Sequence, residues 1–335
     1  MAFRFPMYDK IPENTRRWGV DEDAMRRATR GDWVVSEKIH GANFCAVVDG
    51  AGIRGAKRKS LLADGEDFFN HRRVLERLRE PLRHLFALYT AADGPPDQLL
   101  VYGELYGGRY PHPEVPEVPG VQAVQTGVWY APDVEFQAFD VAAVRGGARR
   151  WLGFEEARAL LLDAGVPCVT PLFIGPYAEA LAFSPVFTTG VPARHGLPPL
   201  EDNLAEGVVV KPLAAVTLPD GGRPVLKIKH PRFAEDARYH QGERWQTAPV
   251  VGASPLVALE WAVVSRLNGP RLESALSKLG PETPAPALAD EIISDVLEEV
   301  LEVCADDWGR LGDEDRALLK AVLAEEAAAL VATSP

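Results

Sequence analysis

Lys38 is the residue of this chain best placed by its surroundings to act as a nucleophile. It stands in V-S-E-K-I-H-G-A-N-F (Val35–Phe44), where an alternating strand pattern gives way to a small polar turn. An amine attacks only as the free base, and desolvation or neighbouring positive charge drives its proton off. L-K-I-K-H (Leu226–His230) offers that charge, because Lys227 and Lys229 are two residues apart and share one face of a strand. Three ammonium groups in one pocket are unfavourable without an anion and sensible with a polyphosphate.

Other fragments suit a nucleotide. A-K-R-K-S (Ala56–Ser60) is a basic cluster that includes Arg58. V-Y-G-E-L-Y-G places Glu104, F-Q-A-F-D-V places Phe139 and Asp140, and A-E-G-V-V-V-K-P places Glu206, each in or at the mouth of an apolar strand. Carboxylates in such settings are costly unless paired or metal-bound. The set supplies lysines for phosphates, carboxylates for Mg²⁺ or ribose, and an aromatic ring for a base. Any one fragment alone also fits a solvated strand face, a hairpin tip or a turn. Their conjunction in one order is what carries weight.

E-K-I-H-G-A-N-F, A-K-R, G-E-L-Y-G, F-Q-A-F-D-V, E-G-V-V-V-K-P and L-K-I-K-H resemble, in order and spacing, the six motifs of covalent lysyl-nucleotide transferases. The K-x-H-G form, followed by Asn43 and Phe44, resembles the RNA ligase 2 family of phage and kinetoplastid RNA-editing type. DNA ligases usually carry K-x-D-G. G-E-D-F-F (Gly65–Phe69), L-V-A-L-E-W-A-V-V-S-R-L-N and L-S-K-L-G extend the likeness over nearly the whole chain.

The resemblance implies three transfers: AMP from ATP to Lys38, AMP to a 5′-phosphate, and attack of a 3′-OH with loss of AMP. It implies that Lys227 and Lys229 hold phosphate oxygens and that Mg²⁺ (or Mn²⁺) offsets developing charge, with Glu206 near the metal through water. It further implies that Glu37 meets adenine through its backbone beside Ile39, and that Phe139 stacks on the base. Glu104 binds the ribose, Arg58 touches the sugar or the 5′-phosphate, His40 and Asn43 serve later steps, and Asp140 supports the site from behind. The implied substrate is a nick in duplex RNA or an RNA/DNA hybrid, read by A-form shape and 2′-OH groups. Ser36 stands where some relatives have Arg. The rival readings are a DNA ligase, a GTP-using capping-type enzyme, or a catalytically silent nucleotide- or RNA-binding relative.

These residues need elements to position them. Residues 1–244 read as strand-rich, with short runs at Trp33–Glu37, Phe44–Val48, Leu99–Leu105, Val134–Val141, Gly207–Lys211 and Val225–Lys229. D-G-A-G (Asp49–Gly52) predicts a hairpin turn. Helical patterns cover Phe68–Tyr89 and Gly153–Ala164. Tyr110–Pro132 and Pro185–Asn203, rich in Pro, predict mobile surface loops. Residues 245–335 show three- and four-residue apolar spacing at Leu256–Leu267, Leu272–Leu279, Asp290–Cys304 and Glu314–Val331. The expected fold is α+β: an antiparallel-sheet adenylyltransferase (ATP-grasp-like ligase catalytic) domain, then a small all-α domain.

Charge follows the same division. Residues 246–335 hold 6 Lys+Arg against 16 Asp+Glu, net −10, whereas residues 1–245 hold 30 against 32, net −2. The overall −12 therefore excludes neither a phosphate-rich substrate nor a basic groove. For the tail to clamp a duplex, Arg266, Arg271 and Lys278 would have to form one face; otherwise it serves later steps or partner contact. No run of eighteen apolar residues suggests a membrane span. Three distant cysteines (Cys45, Cys168, Cys304) and no apolar leader point to a reducing cytoplasm.

Overall fold

The computed structural model describes residues 5–233, 255–264 and 266–332. They fall into two compact units, Met1–Arg232 and Phe233–Pro335. The boundary expected at 244/245 lies outside the described residues.

The first unit is built on two antiparallel sheets. The strands are β1 (Asp32–Glu37), β2 (Ala42–Asp49), β3 (Gly52–Lys57), β4 (Gln98–Arg109), β5 (Ala131–Arg145), β6 (Ala148–Trp151), β7 (Pro171–Pro176), β8 (Gly207–Pro212) and β9 (Leu226–Lys229). One sheet has the order β7-β1-β8-β9 and the other β3-β2-β4-β5-β6. The α+β expectation holds, with helices accompanying antiparallel sheets.

Side-chain alternation sets the layers. On β2, Ala42, Phe44, Ala46 and Val48 enter the main core. There they join Leu82, Leu85 and Leu161 of the helices Arg79–Asp93 and Phe154–Ala164. Cys45 and Val47 point the other way, to a core shared with Phe5 and Tyr8. In the smaller sheet Trp33, Val35, Val208, Val210 and Leu226 face one core with Trp18. Lys227 and Lys229, out of phase with Leu226, fall on the opposite face.

The β2–β3 hairpin forms where D-G-A-G predicted it; Asp49 Oδ1 accepts from the Ala51 and Gly52 N–H groups at 2.9 and 3.0 Å. The predicted helix at Phe68–Tyr89 is two helices, His71–Arg77 and Arg79–Asp93, joined at Leu78. The two Pro-rich segments are fastened together. Asn203 accepts from the Trp129 N–H at 2.9 Å and donates to the Trp129 carbonyl at 2.7 Å. The Tyr110 hydroxyl donates to the Pro198 carbonyl.

The second unit is helical among its described residues: Pro255–Val264, Gly269–Leu279, Ala285–Val303, Ala305–Arg310 and Asp313–Ala332. Leu259, Val263, Ala275, Ile292, Val296, Val300, Leu319 and Leu323 form its core. Three of its described cations are paired within the unit. Arg271 and Arg266 bond Glu299 at 2.6 and 3.0 Å, and Lys278 pairs with Asp295 and Glu291. The single basic face considered for Arg266, Arg271 and Lys278 is thus consumed inside the bundle. No helix among the described residues is long and apolar enough to cross a membrane.

Candidate active site

β1 and β8 pair antiparallel with Glu37 opposite Val208. Just beyond that pair the Lys38 N–H donates to the Gly207 carbonyl at 2.9 Å. The register therefore forces Lys38 against Glu206. Gly207 has φ +147°, and a Cβ there would lie 2.2 Å from the Ile228 carbonyl oxygen, so no other residue fits between β8 and β9. Lys38 Nζ sits 2.5 Å from Glu206 Oε2, and His40 Nδ1 is 3.3 Å from the same oxygen. The His40 N–H donates to the Tyr130 hydroxyl at 2.9 Å.

Glu104 lies opposite Asn43 in the β2–β4 ladder. Gly41 seats the nucleophile loop on that strand: a Cβ at Gly41 would lie 2.0 Å from the Leu105 carbonyl oxygen and 2.9 Å from Glu104 Cγ. The Gly41 N–H bonds to the Glu104 carboxyl. The two carboxyls at the site are driven apart. Burial pushes Glu104 up to about 8, with Glu206 adding to the rise and Lys38, the Gly41 N–H and Arg58 opposing it. Burial works to raise Glu206 as well, but Lys38, His40 and Lys229 outweigh it and hold Glu206 well below the usual range. At neutral pH Glu104 is thus mainly a hydrogen-bond donor and Glu206 a fixed anion, a division typical of functional pairs. Asn43 Oδ1 is buried with no protein partner, an acceptor suited to a ligand hydroxyl or amine.

The remaining predicted residues surround this centre. Ile39 is buried. Glu37 points away from Lys38 and accepts from the Thr189 hydroxyl and from the Gly190 N–H at 3.2 Å, so its side chain anchors the second Pro-rich segment. Arg58 Nε donates to the Tyr8 carbonyl at 3.2 Å, and the Tyr8 N–H donates to the Arg58 carbonyl at 3.1 Å. Phe139 is part-buried and meets Tyr8 edge to face at 5.2 Å. Asp140 is fully enclosed, accepting from the Tyr8 hydroxyl and Lys211 Nζ at 2.6 Å each and from Arg223 at 3.0 Å. Arg223 lies 3.5 Å from the centroid of Trp151. Beyond this cluster a cavity of about 520 Å³ is lined by Arg149, Trp151, Phe154, Lys211 and Arg223, away from Lys38.

Lys227 and Lys229 differ from the expectation of mutually repelling cations. Glu13 Oε1 lies 3.3 Å from Lys227 Nζ and 3.7 Å from Lys229 Nζ. Lys38 has Glu206. Each ammonium therefore faces a carboxylate. Among the described residues no group of three or more His, Cys, Asp or Glu side chains is arranged to hold a metal unaided. A hard divalent cation would use Glu206, through water, together with phosphate oxygens.

Sequence reasoning missed Tyr8, Glu13, Tyr130, Thr189 and Arg223, which come from segments with no strand or motif signal. Lys211 was inside E-G-V-V-V-K-P, and a lysine in so apolar a strand was the available clue.

A family model described as RNA ligase matches residues 31–229. RNA-editing ligase 2, mitochondrial, from Trypanosoma brucei brucei is 32% identical over 227 residues, covering 61% of this chain and 55% of that protein. RNA-editing ligase 1, mitochondrial, from the same organism is 28% identical over 333 residues, covering 80% and 71%. The chain thus spans about half the length of the first of these relatives. A solved Naegleria gruberi RNA ligase with AMP and Mn is 14% identical, covers 68% of this chain and 58% of that one, and superposes with a TM-score of 0.44.

Proposed function

Given that the chain belongs to the RNA ligase family, we propose that it is an ATP-dependent RNA ligase that forms a covalent lysyl-AMP on Lys38. Its substrate in this reading is a 3′-OH/5′-phosphate nick in duplex RNA or an RNA-containing duplex. The observation that carries the reading is the convergence of Lys38 and His40 on one oxygen of Glu206, at 2.5 and 3.3 Å.

The charged amine must first release a proton, and Lys38, 23% exposed, can give it to solvent. Its Nζ then attacks the α-phosphorus of ATP. The N–P bond forms as the P–O bond to pyrophosphate breaks, pyrophosphate leaves with that electron pair, and the new phosphoramidate nitrogen sheds a second proton. Lys227 and Lys229 hold phosphate oxygens as point charges. Protonated Glu104 donates to a ribose hydroxyl, and Asn43 Oδ1 accepts from the ligand. Glu206 and the phosphates would hold a divalent metal, which would neutralise charge on the transferring group. Such transfers depend mainly on alignment and charge neutralisation, which fits a site of paired ions on two rigid sheets. Adenylate then passes to the 5′-phosphate, and the 3′-OH displaces AMP. With Arg266, Arg271 and Lys278 engaged internally, the helical unit has no cluster of these cations to offer RNA.

The test is intact-mass analysis after incubation with ATP and Mg²⁺, followed by peptide mapping. An AMP-sized adduct on Lys38, and sealing of a nicked RNA duplex, are expected. A covalent adduct from GTP alone would favour a capping-type enzyme. ATP binding with no adduct would favour a silent relative. Placing RNA or DNA in turn on each strand of the nick defines the substrate.

A further inference from the structure

We propose that Glu13 is a built-in competitor for the phosphate groups that bind Lys227 and Lys229, and that it favours release of pyrophosphate once Lys38 carries AMP. The proposal rests on the RNA-ligase reading, in which these lysines hold phosphates. One oxygen, Glu13 Oε1, serves both ammonium groups at 3.3 and 3.7 Å.

The contact is built into the chain path. The Lys227 N–H donates to the Pro12 carbonyl at 3.0 Å, so the segment before Glu13 is fixed to β9, an edge strand of its sheet. Upstream, Tyr8 is bound by Arg58 and Asp140, and Arg149 bonds the Met7 carbonyl and Asp9. The backbone of residues 7–12 is thereby fastened at both ends, and the Glu13 side chain is the movable part.

Exposure differs across the pair. Lys227 and Lys229 are 17% and 5% exposed, whereas Glu13 is 44% exposed. The carboxylate can swing into water while the lysines cannot follow. An ion pair with one half-exposed partner is weak, so a polyphosphate with several charged oxygens displaces it through charge-assisted bonds. A departing pyrophosphate meets the same carboxylate returning. Asp140, enclosed by three partners, shows how this fold builds a permanent counter-ion, and Glu13 has none of that enclosure.

Purified enzyme–AMP is titrated with inorganic pyrophosphate, and loss of the adduct is followed by mass. E13Q should lower the half-effective pyrophosphate concentration about three- to tenfold, with a matching fall in the ATP needed for half-maximal attachment. E13A should behave alike, and D9N, which removes a carboxylate of the same segment that pairs with Arg149, should not. Calorimetry of pyrophosphate binding to K38A and to K38A/E13Q, both free of adduct, gives the same comparison without chemistry. An unchanged or weaker response in E13Q with an unchanged melting point, an equal shift in D9N, or no pyrophosphate binding to K38A would overturn the proposal. If wild-type protein never acquires AMP, the ligase reading fails, and the calorimetric arm still decides the role of Glu13.

Discussion

Two carboxylates of the first unit are each surrounded by cations, and they differ in one respect. Asp140 is closed in by Lys211, Arg223 and Tyr8, all hydrogen-bonded to it. Glu206 is as buried, but its partner Lys38 reaches solvent and His40 shares the same oxygen loosely. Burial drives both carboxyls upward, and in both the neighbouring cations win. Among the fully buried side-chain polar atoms of the first cluster only Arg223 Nε lacks a partner, so the cluster holds structure. The second keeps a partner that can leave, so it can do chemistry. Charge pairing alone does not mark a catalytic group; access of one partner to water does.

The sharpest test of that contrast is Lys38→Ala. It should abolish AMP attachment and leave sealing of a pre-adenylylated end, because only the first two steps use the amine; intact mass and a sealing gel read the two outcomes. Complete loss on the pre-adenylylated end with folding preserved would break the division of labour.

Next comes a stability comparison by denaturant melts. Asp140→Ala should cost about 3–5 kcal/mol, since it strands Lys211 and Arg223 in the interior. Glu206→Gln should cost less than that, because Lys38 can turn toward water, yet slow AMP attachment about 10²–10³-fold. Equal stability losses would show that the two clusters are alike.

Glu104→Gln adds a pH signature. Unfolded, Glu104 ionises near pH 4.5; folded, near 8. Between these values the folded chain holds a proton that the unfolded chain releases, so stability from this group falls as pH rises through that window. The variant should melt with wild type near pH 4.5 and several degrees higher at pH 8, the gain then levelling off. A gain that is constant with pH would contradict the burial argument.

The smallest effect is expected for Tyr130→Phe. It removes the acceptor of the His40 N–H, costs about 1 kcal/mol, and should reduce sealing more than AMP attachment.

Much of this was legible in the residues. β1, β2, β4, β5, β8 and β9 lie where β-branched and aromatic runs placed them. The motif residues on adjoining strands were brought together because pairing register is fixed by the buried face. β7 was missed because P-L-F-I-G-P is bounded by prolines, which suit an edge strand and read as a loop. β6, at A-R-R-W, has almost no apolar content to signal it. The Pro-rich segments looked mobile because their fastening depends on Asn203 meeting Trp129 across 74 residues, and no local pattern encodes such a bond. Glu13 escaped for the same reason. A carboxylate in a non-repetitive leader carries no periodic signal, and its partners lie more than two hundred positions downstream.

Gly41 has a lesson for anyone redesigning the neighbourhood of the nucleophile. Its φ lies outside the left-handed region, so a left-handed turn is not what calls for glycine here. It is there because the space a methyl group would need is already taken by the Leu105 carbonyl. The invariance this imposes is one of clearance, not reactivity: a library that varies the loop around position 41 while leaving β4 untouched is searching a volume with no room in it.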